Sequence, residues 1–304
     1  MRISSSQITD SALKALQKNT EKLETARQKI LDGKNFTRAS DAPTEMKKSL
    51  AVKVSLQENS RYLKTTDDAL SVLEARESTF SQSQDFMLQA KEIAISATNG
   101  TLTPQDRNVL AGQVGNILEG MVSIANGKIE DSYAWGGTKT SQQPFSISRN
   151  AQGEIIQANY VGNQEENKVA ISQNEKMTLS VPGDKAFSSS LDSLIQLRDL
   201  LQNKEGLPET EQLKKISASL AGINNASDGI LDLAAKIGNS IKHLQTKQSS
   251  LQQDSSQKEV HLSQIEDADI PTTVVQMTTA ETAYNATLYT ISRSNTKSLL
   301  DYLG

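Results

Sequence analysis

Apolar positions recur at alternating steps of three and four along most of this chain, the spacing that gathers them on one stripe of a helix. In the first segment the stripe is Ala12, Leu16, Asn19, Leu23, Ala26 and Ile30, and Gly33 ends it. The following KNFTRASDAP reads as a loop, with Ser40 or Asp41 expected to cap a second helix over residues 44–97. That helix carries Leu63, Thr66, Leu70, Leu73, Phe80, Met87 and Ala94, with polar slips at Glu77 and Gln84. Asn99-Gly100 closes it. A third helix opens on a capping box, with Thr103 as N-cap, Pro104 at the first helical position and Asp106 three residues after the cap. Its face is Leu110, Val114, Ile117, Met121 and Ile124, up to Asn126-Gly127.

Between residues 132 and 187 the period changes. The runs PFSIS, EIIQANYV, KVAIS and MTLSV are strand-like, bounded by the turn clusters RNAQG, GNQEEN and PGD. Tyr133, Trp135, Phe145, Tyr160 and Phe187 concentrate there, in a chain that is only 4% aromatic. This predicts a small antiparallel β-subdomain set between helices, too short to be a substrate domain. Helix resumes over 190–201 and stops before Gly206-Leu207-Pro208. The longest stripe follows, through Leu213, Ile216, Leu220, Ile223, Ile230, Ala234, Ile237, Ile241, Leu244, Leu251, Leu262 and Ile265, with Ser227, Gln248, Ser255 and Lys258 in skipped places. As one helix it would span roughly 80 Å at 1.5 Å per residue. IEDADIP interrupts, and a last helix carries Val274, Met277, Tyr284, Leu288, Ile291, Leu299 and Leu300.

The predicted fold is therefore mainly α with a small β insert. Long antiparallel helices form a rod-like bundle, and the terminal helices pair. Residues 1–40 and 266–304 make a terminal domain, 41–131 and 188–265 the two parts of a helical rod, and 132–187 the insert. The terminal seams are thin, since Ala12, Asn19, Ala26, Glu281 and Asn295 occupy positions on them. A two-helix hairpin this weak is marginal alone in water. Either the ends are flexible, or other subunits complete them. Leu16, Leu23, Ile30, Tyr284, Leu288, Ile291 and Leu299 are the expected interface residues.

Composition narrows the function classes. The 304 residues are 36% hydrophobic and 22% charged, with a net charge of −4, which fits an ordered, thin, polar protein. Having no cysteine excludes thiolate catalysis, zinc–cysteine sites, iron–sulfur clusters and disulfides. The net negative charge, with no basic stripe, argues against nucleic acid as a partner. No apolar run approaches the ~18 residues of a membrane span, and MRISSSQITDSALKAL lacks the apolar core of a signal peptide. The two histidines, His243 and His261, would stand ~27 Å apart along one helix and cannot share a metal. Glu266, Asp267 and Asp269 lack the spacing and glycine of a calcium loop and read as helix-start carboxylates. Gly136-Gly137 lacks phosphate-loop spacing, and no serine or threonine has a histidine and acid to activate it. No enzyme, cofactor or metal site is expected.

Six segments, in order, resemble the flagellin-like hook-associated proteins, the hook–filament junction type in particular. MRISSSQ is similar to the family's opening, and GKNFTRASDAP to its helix–loop–helix element, with Ala42 where a second Asp is usual. ANGKIEDSYAWGGTKTSQQPF and ANYVGNQEENKVAI resemble the junction type's β domain. SQIEDADIPTTVVQMT resembles the shared flagellin C-terminal motif, and SLLDYLG the junction type's ending. The resemblance implies a structural part of the bacterial flagellum, exported unfolded through the flagellar type III apparatus without a cleaved signal and residing outside the cell. It implies terminal helices that are disordered in the free subunit and pack as an inner tube on assembly. The implied partners are neighbouring copies in a ring, the first hook-associated protein on the hook side, flagellin on the filament side and an export chaperone at the C-terminal region. Neither nucleic acid nor membrane insertion is implied. Flagellin itself is the alternative, opposed by GGTKTSQQPF and SLLDYLG, and a non-flagellar helical tether stands behind it.

Overall fold

The computed structural model describes residues 5–129 and 131–300, with side chains described at Gln7 and between residues 10 and 292 apart from Glu130. Six long helices dominate those residues: α1 (Ser5–Asp32), α2 (Pro43–Ala97), α3 (Pro104–Ala125), α4 (Ser189–Leu201), α5 (Glu209–Glu266) and α6 (Ile270–Leu300). Gly33 follows α1 at φ +66°, a left-handed position that terminates a helix without side-chain strain only in glycine. The capping box of α3 forms as the sequence predicts. The Thr103 hydroxyl accepts the Asp106 N–H at 3.2 Å, and the Asp106 carboxylate accepts the Thr103 N–H at 3.0 Å.

The start of α2 differs from expectation. Its first backbone bond runs from the Met46 N–H to the Ala42 carbonyl, 2.9 Å, so neither Ser40 nor Asp41 is the cap. Pro43 presets the first helical φ and pushes the preceding residue out of the helical region, which fixes the start one step later. The Asp41 carboxylate turns back instead, accepting from the Arg38 N–H at 3.3 Å and the Ser40 hydroxyl at 3.1 Å.

The chain folds as two compact units that divide within α2 and α5, a central unit of residues 59–253 and a terminal unit of residues 1–58 with 254–304. The contiguous hydrophobic core lies wholly in the central unit. On α5 its line is Ile216, Ile223, Ile230, Ile237 and Leu244, each seven residues from the last and all buried. Two polar slips in the predicted stripes face each other across the antiparallel α2–α5 seam. Gln84 Nε2 donates to Ser227 Oγ at 2.8 Å, and farther along Gln248 Nε2 donates to Asp67 at 2.6 Å. The seam of α2 does not pass through Glu77, which is exposed. It passes through Arg76, which is buried.

The β insert is three separate antiparallel hairpins and not one sheet. They are β1–β2 (Lys128–Ile129, Ser132–Tyr133), β3–β4 (Phe145–Arg149, Ile155–Tyr160) and β5–β6 (Lys168–Ser172, Glu175–Thr178). The strand expected at MTLSV lies slightly earlier, because Gln173-Asn174 makes the turn. Isolated hairpins are marginal in water, so these need an anchor. Trp135 supplies it, 5.2 Å from the Phe80 ring of α2 and 5.0 Å from Phe187. Phe187 sits on a π-helical turn (Asp184–Ser188) that runs into α4. The Arg76 guanidinium donates to the carbonyls of Ala134 and Leu179, on the two flanks of the insert. Burial pulls its pKa down to about 10.

Candidate assembly interface

In the terminal unit α1 and α6 run antiparallel. At one end the loop after α1 pairs with the end of α5, and toward the other Asn19 meets Thr287. The inner line of α6 is Thr273, Ala280 and Thr287, at seven-residue steps and all small. Thr273 and Ala280 are buried, and Asn19 Nδ2 donates to Thr287 Oγ1 at 3.0 Å and to the Ala283 carbonyl at 3.3 Å. Facing them, Leu23 and Ala26 are the buried residues of α1, Leu23 at 6% exposure. A groove of about 680 Å³ runs along the pair, with Lys18, Lys22 and Lys29 on one bank and Val275, Thr279 and Ala283 on the other.

The apolar inventory of this unit is inverted relative to a self-sufficient domain. Among the described residues its buried hydrophobics are Leu23, Ala26, Phe36 and Ala280. Exposed are Leu13, Leu31, Leu50, Val54, Val260, Ile270, Val274, Val275, Leu288 and Tyr289. Scattered single exposures need no explanation, but ten large side chains over four short helical stretches make an unfinished surface.

Of the seven predicted interface residues, Leu23 lies inside the α1–α6 seam. Leu16, Ile30, Tyr284 and Ile291 are half-buried, and Leu288 is 41% exposed. The Leu299 side chain lies outside the described residues. The sequence reading missed Thr273 and Ala280, because a search for large apolar residues passes over a line of small ones that lets two helices approach. A seven-residue Thr–Ala–Thr repeat was the available signal.

The acidic cluster divides in two. Asp269 does start a helix: its carboxylate accepts from the Thr272 hydroxyl at 2.6 Å and the Thr272 N–H at 3.4 Å, which lowers its pKa. Glu266 does not. It is the last residue of α5, 5% exposed, and its carboxylate accepts from Lys34 at 2.9 Å, from Lys53 and from the Ser49 hydroxyl. Burial pushes this carboxyl up, but the hydrogen bonds from Lys53, Ser49 and Lys34 outweigh it and hold the pKa down at about 2. The sequence reading missed this because Lys34, Ser49 and Lys53 are more than 200 residues away.

His243 lies 2.7 Å from Glu175 of β6 and His261 is exposed. Among the described residues, no group of three or more histidine or acidic side chains is placed to hold a metal, and no helix is long and apolar enough to cross a membrane.

Comparison with known proteins matches the bacterial flagellin N-terminal helical region to residues 3–128 and the bacterial flagellin C-terminal helical region to residues 220–303. Flagellar hook-associated protein 3 of Escherichia coli is 23% identical over 284 residues, 85% of this chain and 87% of that one. Flagellar hook-associated protein 3 of Salmonella typhimurium is 21% identical over 309 residues, 93% and 95% of the two chains. The crystal structure of the flagellar junction protein FlgL from Legionella pneumophila shares the fold at a TM-score of 0.61 and 15% identity, covering 72% of this chain and 99% of its own. With both terminal helical regions present, framing a central unit of the same fold, the chain belongs to the flagellin-like family of flagellar proteins.

Proposed function

We propose that this chain is a hook-associated protein of the flagellum that joins the hook-side ring to the flagellin filament. The observation that carries the mechanism is the terminal unit, which among the described residues fully buries only two large apolar side chains, Leu23 and Phe36, and leaves ten exposed. Such a unit gains little by folding alone, because ordering a residue costs about 1–2 kcal/mol of backbone entropy. It gains much when neighbours cover its faces. Terminal helices that complete their ordering on contact turn assembly and folding into one step. Neighbouring copies, the first hook-associated protein and flagellin are the partners that would cover those faces. An export chaperone is the partner expected to hold the C-terminal segment beforehand. Placement at the hook, and not along the filament, rests on the hook-associated relatives, which align over most of both chains. The protein works outside the cell after unfolded export.

The test is a strain lacking this chain, with hooks counted by electron microscopy and flagellin measured in the medium. Hooks without filaments and soluble flagellin in the medium, both reversed by restoring the chain, is the expected result. Filaments of normal length and attachment would overturn the junction reading. Loss of the filament subunit itself would mean that the chain is a flagellin.

A further inference from the structure

The terminal unit has a built root at one end of its hairpin. There the loop after α1 and the turn after α5 lie side by side. The Asn35 N–H donates to the Glu266 carbonyl at 2.7 Å, the Ala268 N–H to the Gly33 carbonyl at 2.9 Å, and Asn35 Nδ2 to the Asp267 carbonyl at 2.8 Å. The Glu266 side chain at this junction is buried, and Ser49 and Lys53 reach its carboxylate from α2 and Lys34 from the loop. The other charges acting here are Asp32 and Asp267, both on Lys34. Three elements thus converge on one carboxylate, and all three donors are used by it.

Ion pairs on surfaces add little, but this anion is buried, and a buried charge that loses its partners is costly. The two lysine ammonium groups remain partly exposed, so their desolvation is modest while the carboxylate's bonds are sheltered from water. Among the described residues, no buried carboxylate of this kind lies farther along the α1–α6 pair. Asn19, with Thr287 and the Ala283 carbonyl, makes neutral contacts there.

We propose that Glu266 is the root of the terminal hairpin: its carboxylate joins the α1–α2 loop, the start of α2 and the α5–α6 turn in the free subunit, so that α1 and α6 begin paired in fixed register. Ordering then spreads outward from the root. That the far ends await a partner rests on the proposed assembly role. The root itself does not, because every group in it belongs to this chain.

Hydrogen exchange read by mass spectrometry on the dilute full-length chain tests it without any flagellar component. In the wild type, residues 33–36 and 266–269 should be protected. In Glu266→Gln, which keeps the shape but loses the charge, exchange of both segments and of the adjoining 20–31 and 272–283 should accelerate about tenfold or more, together. Lys34→Met, removing one donor of three, should give a smaller acceleration in the same segments. The central unit must exchange as in the wild type and the Trp135 emission must stay unchanged, which keeps the test independent of global misfolding. Unprotected root amides in the wild type overturn the proposal. So does unchanged exchange in Glu266→Gln, acceleration on one side only, or equal acceleration in the central unit. Filaments of normal length and attachment in a strain lacking the chain, beside the exchange behaviour expected here, would count against the assembly role and leave the root intact.

Discussion

Replacing Leu288 by aspartate separates folding from assembly, because this residue is apolar, lies on α6 and is 41% exposed. Fully burying a leucine side chain is worth about 1.5–3 kcal/mol, so the uncovered fraction leaves about 0.6–1.2 kcal/mol to be gained when a neighbour closes over it. Leu288→Ala should therefore weaken assembly by about three- to eightfold. Leu288→Asp loses the same term and also places a carboxylate in the covered interface, which adds several kcal/mol, for a total of about 3–5 kcal/mol. Assembly should then weaken by about 10²–10³-fold or more. In the free subunit the cost is of another order: a substitution at an exposed helical site, where aspartate is a poorer helix former than leucine, costs about 0.5–1 kcal/mol. Urea unfolding followed at Trp135 reads the central unit. Co-sedimentation with hook-side particles and flagellin reads assembly. The reasoning fails if Leu288→Asp assembles with wild-type affinity, or if alanine and aspartate prove equally damaging. It also fails if the central unit loses stability in step with assembly.

Trp135→Ala should cost about 3–5 kcal/mol, since the ring is fully buried between Phe80 and Phe187, and chemical denaturation of the central unit measures it. Gly33→Ala meets no atom within 4 Å, so its cost is the left-handed backbone alone, about 1 kcal/mol, seen as faster exchange in the terminal unit only. The Glu266 carboxyl is depressed to about 2 from an ordinary 4.5, so its stabilisation is fully present above that ordinary value and lost as pH falls from there toward 2. Acid titration of root-segment exchange should show this loss, and Glu266→Gln should abolish it.

The helices were readable from residue spacing because a long stripe averages over many positions. The capping box of α3 was readable because all its partners lie within four residues. What escaped the sequence depends on distant neighbours. Glu266 looks like any carboxylate near a helix start until Ser49 and Lys53 arrive from α2. Arg76 looks like a surface residue beside Glu77, and only the carbonyls of Ala134 and Leu179 explain its place inside. The start of α2 was misplaced because two good capping residues stood before a proline whose geometry overrode them. Within the α1–α6 seam, Thr273 and Ala280 escaped because a search for large apolar positions passes over small ones.

The Gln84–Ser227 contact in the central unit bears on how a pulled joint keeps its length. The α5 side of this seam, Ile216, Ile223, Ile230, Ile237 and Leu244, nearly matches itself again after one seven-residue repeat, a slide of about 10.5 Å. Sliding would set Gln84 against an apolar step and leave Ser227 without its amide, at about 1–3 kcal/mol for each stranded group. The penalty is small beside the whole core, and it adds to the size differences among Leu73, Phe80, Met87 and Ala94 that also distinguish one notch from the next. Under axial load the Gln84–Ser227 pair would resist slippage by one repeat, and leucine at both positions would remove that part of the joint's memory of position.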